Sequence, residues 1–363
     1  MEIETHTQCV VCGQSHPLMA EVLGLCPDCA QSEAGTSQAR TVHGRSRRLF
    51  ALPESPPREE EGVKCVLCGC ECLIGEGKFG FCGLRTVRDG KLHHIAGTPK
   101  RGVLHWYRDP VPTNCVAAPY CAGSKSMNRR HYLPIHNLSV FYNSCTLDCL
   151  FCQNWHFRVE DTEHGQGMSA QALADCANSE TYCVCYFGGD PASQMPHALA
   201  SAKMLIEKGV AICWETAGTT NSRMMKRVVQ LSLESGGSVK FDLKAYTETL
   251  HIALTGWSNR QTLANFTHAA ERFHERPNLP LVVASTLLVP GYVDADEVVR
   301  IATFIARQNP DIPYVLLGFA PHFLMPDLPP TSVRHAEAAQ KAAQVAGLNE
   351  VRIGNRHLLS HDY

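Results

Sequence analysis

Three cysteines crowded into one short loop constrain this chain more than any other feature. Residues 143–155 run Asn-Ser-Cys-Thr-Leu-Asp-Cys-Leu-Phe-Cys-Gln-Asn-Trp. Cys145, Cys149 and Cys152 are thus spaced C-x3-C-x2-C, directly after the alternating apolar run Leu138 to Tyr142. A strand that ends in so tight a loop delivers its thiols to one small volume. Iron–sulfur clusters are held by cysteine thiolates, ordinarily four of them. Three thiolates leave one iron open, and an open position separates catalytic metal sites from closed, structural ones. The competing reading is a structural zinc knuckle. No fourth cysteine lies nearby, but His156 offers a fourth ligand.

From residue 137 onward the pattern repeats an apolar run, a turn and an amphipathic helix. It predicts strands at 138–142, 182–187, 210–215, 239–243, 281–289, 314–319 and 350–353. Helices lie between them. Over 296–307, Val298, Ile301, Ala302 and Ile305 fall on one face; over 332–346, Ser332 is placed to cap the start and Gly347 to stop the end. Alternating strands and helices imply a parallel α/β sheet, whose chemistry gathers at the C-terminal ends of the strands. Those ends carry Gly188-Gly189-Asp190-Pro191, then Trp214-Glu215-Thr216-Ala217-Gly218, then Asp242-Leu243-Lys244 and Pro321-His322. In Asp242-x-Lys244 the period of a strand puts both charges on one face, where each offsets the burial of the other. Cys183 and Cys185 share one face of their strand and read as core; Cys115 and Cys121 read as packing thiols.

The C-x3-C-x2-C loop, with Phe151 just before its last cysteine, resembles the signature of the radical S-adenosylmethionine (SAM) superfamily. Cys65-Val-Leu-Cys68-Gly-Cys70-Glu-Cys72 through Phe81-Cys82-Gly83-Leu84-Arg85 resembles the segment that precedes the barrel in AmmeMemoRadiSam-type proteins, relatives of the pyruvate formate-lyase activating enzymes. Cys70 stands where that pattern has His, Asp190 where it has Glu, and Ala217 where it has Asn. The resemblance spans about residues 65–357 and is strongest over 138–322. It implies a partial (β/α)6 TIM-like barrel and a [4Fe–4S] cluster on Cys145, Cys149 and Cys152. SAM would chelate the open iron, and its reductive cleavage would give a 5′-deoxyadenosyl radical. It further implies that Phe151, Gly188, Gly189, Asp190, Glu215, Asp242, Lys244 and His322 hold the cofactor, with Leu287 to Asp294 near the adenine.

Ahead of the barrel stand two more cysteine modules. Cys9-x2-Cys12 and Cys26-x2-Cys29 are two knuckles at zinc-ribbon spacing, able to fold a segment with no core of its own. Cys65, Cys68, Cys72 and Cys82, with Cys70 beside them, form the second, among Gly75, Gly77, Gly80 and Gly83 that let the chain turn tightly. Zinc, or an auxiliary iron–sulfur cluster relaying electrons, fits either module, with zinc the first choice. The expected organisation is a zinc-ribbon-like module at 1–30, a polar linker at 31–62 with an ordered patch at Leu49 to Leu52, a cysteine-rich module and bridge at 63–135, and the barrel at 136–357. The Pro- and Asn-rich stretch 97–136 is expected to bridge module and barrel and to cover the cluster.

Composition bounds the setting. Eighteen cysteines with a polar start and no secretory signal argue for metal ligation in a reducing cytoplasm over disulfides. A net charge of −2 predicts no general affinity for nucleic acid, and no apolar run is long enough for a membrane span. The function expected is an oxygen-sensitive radical SAM oxidoreductase, similar to glycyl-radical activating enzymes. It would be served by a flavodoxin- or ferredoxin-type low-potential donor and act on a protein, peptide or small molecule. The alternatives are a maturase that modifies a peptide or small molecule, and a non-catalytic zinc-ribbon adaptor. No corrinoid-binding segment is evident.

Overall fold

The computed structural model describes residues 4–112, 115–127, 135–276 and 278–363, the side chains of 125–127 excepted. Thr113 and Asn114, part of the expected bridge, lie outside them. One eight-stranded sheet dominates: β1 (Leu104–Pro110), β2 (His136–Tyr142), β3 (Thr181–Phe187), β4 (Ala211–Thr216), β5 (Val239–Asp242), β6 (Val282–Leu288), β7 (Tyr314–Gly318) and β8 (Val351–Ile353). The strands stand side by side in chain order, and every pair from β2 to β8 is parallel. An order that never reverses is the layout of a barrel wall, not of a doubly wound sheet with a switch point. β1, which the sequence pattern does not announce, pairs antiparallel with β2 and adds an edge strand.

Each strand from β2 to β7 is followed by helix, and the helix faces obey the sequence periodicity. Ala295–Gln308 starts at Asp294, whose carboxylate accepts from Asp296 N–H and Glu297 N–H, and it buries Val298, Ile301, Ala302 and Ile305. Val333–Val345 starts at Ser332, whose hydroxyl accepts from His335 N–H at 3.0 Å. These caps take up orphan N–H groups of the first turn. The barrel core is built by strand residues such as Val140, Val184, Ile212, Phe241 and Leu316, all without exposure.

The expected linker is instead largely a helix, Glu33–Arg48. Its polarity is misleading, because it buries small residues and a cation in place of large apolar ones. Gly35 lies so close to Cys29 that a Cβ would strike its carbonyl, Ala39 and Val42 are buried, and His43, Ser46 and Arg47 are buried with partners. Arg47 donates to Pro53 O at 2.6 Å and to Phe81 O, with its guanidinium 3.5 Å from the Phe81 ring centroid. The ordered patch at 49–52 follows directly, and Phe50 lies 6.0 Å from Phe323, ring to ring.

Both cysteine modules dock on the barrel. The first leans on the loop after β6, where buried Tyr292 accepts from Ala20 N–H at 2.9 Å and donates to Leu25 O at 2.8 Å. The second, framed by the pairs Val63–Lys64 with Leu73–Ile74 and Arg85–Arg88 with Lys91–His94, sits at the C-terminal ends of β2 and β4. Gly69 N–H donates to Thr219 O at 2.8 Å, and Ser144 hydroxyl to Cys82 O at 2.8 Å. Among the described residues no helix is long and apolar enough to cross a membrane. Tyr292→Phe leaves Leu25 O and Ala20 N–H without their buried partner. It is expected to lower stability by about 1–3 kcal/mol, read as a lower urea midpoint at unchanged slope. An unchanged midpoint would show that this anchor carries no weight.

Candidate active site

The cysteine loop leaves β2 and is held by the end of a neighbouring helix. Helix Glu248–Thr255 stops at Gly256, a left-handed residue at φ 78°. Its last carbonyls would otherwise lack intrahelical partners. Asp148 N–H takes Thr255 O at 2.8 Å, Leu150 N–H takes Leu254 O at 3.1 Å, and the His43 Nε2 side takes Ala253 O at 3.0 Å. Inside the loop, Asp148 is fully buried. Its carboxylate accepts from Arg158, from His43 Nδ1 at 2.9 Å and from Ser46 hydroxyl at 3.4 Å. Burial works against that charge, but Arg158 first and then His43 hold the carboxyl below its ordinary range. The loop is thereby fixed from helix 33–48, from helix 248–255 and from Arg158 in the short turn Trp155–Val159.

Cys145, Cys149 and Cys152, each half-buried, line one cavity of about 200 Å³. Phe151, Gly188, Gly189, Asp190, Glu215, Asp242 and Lys244 line it too. Gly188 and Gly189 have φ of 64° and 52°; a Cβ on the first would enter the Phe141 ring, and on the second the carbonyls of Tyr142 and Ser144. Only glycines let the chain cross the end of β2 this closely. Burial pushes the thiols up, Cys149 to about 12 despite Lys244 nearby. A metal centre taking three thiolates there would release their protons. Arg158, in the same wall, keeps a buried Nε with no partner. Three converging sulfurs, a glycine cradle and an unpaired cationic donor fit an anionic cluster with a small ligand beside it.

A short ladder of alternating charge crosses the cavity floor. Glu215 on β4 is in register with Lys240 on β5, and their side chains meet at 2.5 Å. Asp242 is in register with Ser285, whose hydroxyl donates to it at 2.6 Å, while Lys244 lies 3.0 Å away on its other side. Burial would raise the Asp242 carboxyl, but Lys244 and then Lys240 outweigh it and hold it far below the ordinary range. Burial likewise opposes the charge on Lys244, and Asp242 more than restores it. Lys244 Nζ stands 5.8 Å from the Phe151 ring centroid. Asp242 is therefore kept ionised beside Lys244, and Glu215 is paired with Lys240.

Other candidates are placed differently. Asp190 lines the cavity, but its carboxylate is taken by Ala192 N–H and Ala217 N–H, both at 2.7 Å, and by Thr216 hydroxyl. Burial still pushes it up to about 6. It works as a clasp between the β3 and β4 loops. His322 is exposed, outside the cavity wall, with Nδ1 turned to Pro321 O. Its neighbour Phe323 stacks on Trp155 at 5.5 Å, and Leu324 N–H donates to Leu150 O at 3.0 Å, so this segment braces the cysteine loop from outside. Cys115 packs near Val283 and Leu317 and reaches Glu215 at 3.7 Å.

Sequence reasoning passed over His43, Asp148, Arg158, Lys240 and Ser285. Lys240 carried a signal, since Lys240, Asp242 and Lys244 continue one alternation. The others acquire meaning only from partners far away in the chain.

Residues 139–305 match the model of the Radical SAM superfamily. An uncharacterized protein of Methanocaldococcus jannaschii is 23% identical over 305 residues, 82% of each chain. A second protein of that organism, named only provisionally as a glycyl-radical enzyme activating enzyme, is 30% identical over 132 residues, 36% of this chain and 48% of its own. The isethionate sulfite-lyase activating enzyme of Desulfovibrio desulfuricans is 27% identical over 169 residues, 45% of this chain and 51% of its own. The match thus spans about half the length of these two activating-enzyme relatives.

Asp148→Asn leaves Arg158 buried without its counter-charge and is expected to cost about 3–5 kcal/mol, measured by urea denaturation. The pH dependence separates charge from shape. A carboxyl depressed in the folded state contributes fully above its unfolded value of about 3.9 and loses that contribution as pH falls through its folded value. Wild type should therefore lose stability toward acid more steeply than the variant. Parallel acid curves would contradict an ionised Asp148.

Proposed function

The chain belongs to the radical SAM superfamily and is an enzyme of radical chemistry related to glycyl-radical activating enzymes, and from this premise we propose its reaction. It abstracts a hydrogen atom from the backbone of a protein or peptide substrate, using Cys145, Cys149 and Cys152 to hold the cluster. The observation that carries this reading is the convergence of those three sulfurs, the Gly188-Gly189 cradle and the Asp242–Lys244 pair on one cavity. When bound there, a [4Fe–4S] cluster with SAM supplies one-electron cleavage of a sulfonium–carbon bond and a 5′-deoxyadenosyl group that takes up hydrogen.

The protein's own residues bind and orient. Lys244, kept cationic by Asp242, offers ammonium donors to a carboxylate at the cavity floor. Asp242, kept ionised, has acceptor capacity for ribose hydroxyls beyond its bonds to Ser285 and Lys244. Gly188 and Gly189 bring backbone carbonyls within reach of an amino group. Leu287 and Leu317 give the cavity an apolar side suited to a base. Glu215, fixed by Lys240, and Cys115 beside it stand at the substrate side of the floor. A low-potential donor of flavodoxin or ferredoxin type supplies the electron.

Anaerobic reconstitution with iron and sulfide, then reduction in the presence of SAM, is expected to yield 5′-deoxyadenosine. Lys244→Met should raise the SAM concentration for half-maximal formation about 10- to 100-fold, the weight of one charge-assisted hydrogen bond of about 1.5–3 kcal/mol. The substrate assignment is read separately. Incubation with a candidate glycyl-radical protein should give an organic radical by electron paramagnetic resonance (EPR). Deoxyadenosine without that radical would move the substrate elsewhere, and no deoxyadenosine at all would overturn the reaction.

A further inference from the structure

Arg158 carries one buried donor more than the bracing of the cysteine loop uses. Its side chain is 2% exposed, and its Nη1 is taken by the Asp148 carboxylate. A guanidinium presents its five N–H donors in one rigid plane. The Nε donor of that plane is buried and meets no acceptor in the protein. Leaving a buried donor unpaired costs about 1–3 kcal/mol. An arginine kept only to neutralise Asp148 gains nothing in return for that cost.

The side chain has little freedom to turn away. The ring centroids of Phe50, Phe157 and Phe323 lie 5.8, 5.2 and 5.1 Å from its guanidinium carbon, and cations are attracted to such ring faces. Held there, Arg158 stands in the wall of the cavity that Cys145, Cys149 and Cys152 line. Together with Cys145 it also borders a second space of about 240 Å³. The sulfurs feel the cation: burial pushes the Cys152 thiol up, and Arg158 is the largest influence against it. Among the described residues of the cavity wall Lys244 is the other cation, and Asp242 draws its ammonium at 3.0 Å.

We propose that Arg158 tunes the cluster assigned to this loop, its Nε–H donating to a cluster sulfur or thiolate while Nη1 holds Asp148. The inference rests on that cluster assignment. Net charge and hydrogen bonds to sulfur set the potential of such centres. Uptake of one electron there makes and breaks no bond, and it adds one negative charge beside the donor. A fixed N–H bond strengthens as that charge grows, so the reduced state is favoured and the potential rises. The electron then comes within reach of a flavodoxin- or ferredoxin-type donor. A lysine could hold Asp148 equally well, but one ammonium cannot serve both partners from the edges of a plane.

Arg158→Lys therefore separates the two tasks. The full chain is reconstituted anaerobically with iron and sulfide and titrated electrochemically without SAM, following the EPR signal that Cys149→Ala abolishes. The variant is expected to keep its iron and to need a lower potential for half reduction. At the wild-type midpoint its reduced-to-oxidised ratio should fall about tenfold, equivalent to about 59 mV for one electron. A second measurement needs no variant to fold: wild type grown with nitrogen-15 arginine should show hyperfine coupling of that nitrogen to the same reduced signal by pulsed EPR. An unchanged midpoint in iron-replete Arg158→Lys would overturn the proposal, as would a wild-type signal with no coupling to arginine. An unchanged midpoint with SAM cleavage intact removes this inference alone. Wild type that takes up no iron on the three cysteines removes the proposed reaction as well.

Discussion

The site rests on a carboxylate buried inside the cysteine loop. Asp148 sits between the first two thiols, without exposure, where an unpaired charge would unfold the loop. Burying a carboxylate costs several kcal/mol even after relaxation. It receives bonds from Arg158, His43 and Ser46, and hydrogen bonds to a charged group are worth about 1.5–3 kcal/mol each. The pairing wins, provided all three donors are present at once. They come from helix 33–48 and from the turn just after the loop. The docked N-terminal region thus braces the cysteine loop together with the turn that follows it.

The same logic governs the cavity floor. Four charged groups line up on two adjacent strands, and each is tolerable because its neighbour has the opposite sign. The result is a polar surface inside a barrel wall whose local charges cancel, ready to meet a zwitterionic ligand without reorganising. The glycine turn above it has no alternative sequence at that backbone approach. Fold and chemistry thus share one constraint: the strand ends must be close enough for β4 and β5 to pair their charges and for β6 to donate to Asp242.

The barrel strands from β2 to β8 were legible in the sequence because each alternates or runs apolar between turns, and so were the rim motifs that line the cavity. Helix 33–48 was not, since it buries glycines, a histidine and an arginine where the usual pattern would bury leucines. The antiparallel β1, with one buried residue at its start and a proline at its end, gave no core signal either. His322 shows the opposite failure. A motif in the right order along the chain put it near the cavity, but the local turn aims its ring at its own backbone and gives the contact to Phe323. Order along the sequence fixes which strand end a residue occupies, not which way its side chain faces.

The central claim is that three sulfurs hold a cluster whose remaining iron is free for the amino and carboxylate groups of SAM. Pulsed electron–nuclear double resonance on the reduced, reconstituted protein with SAM labelled by nitrogen-15 at its amino group tests it most directly. A hyperfine coupling to that nitrogen, lost in Cys149→Ser, is the predicted result. A cluster whose spectrum shows no coupling to the labelled SAM would contradict the account.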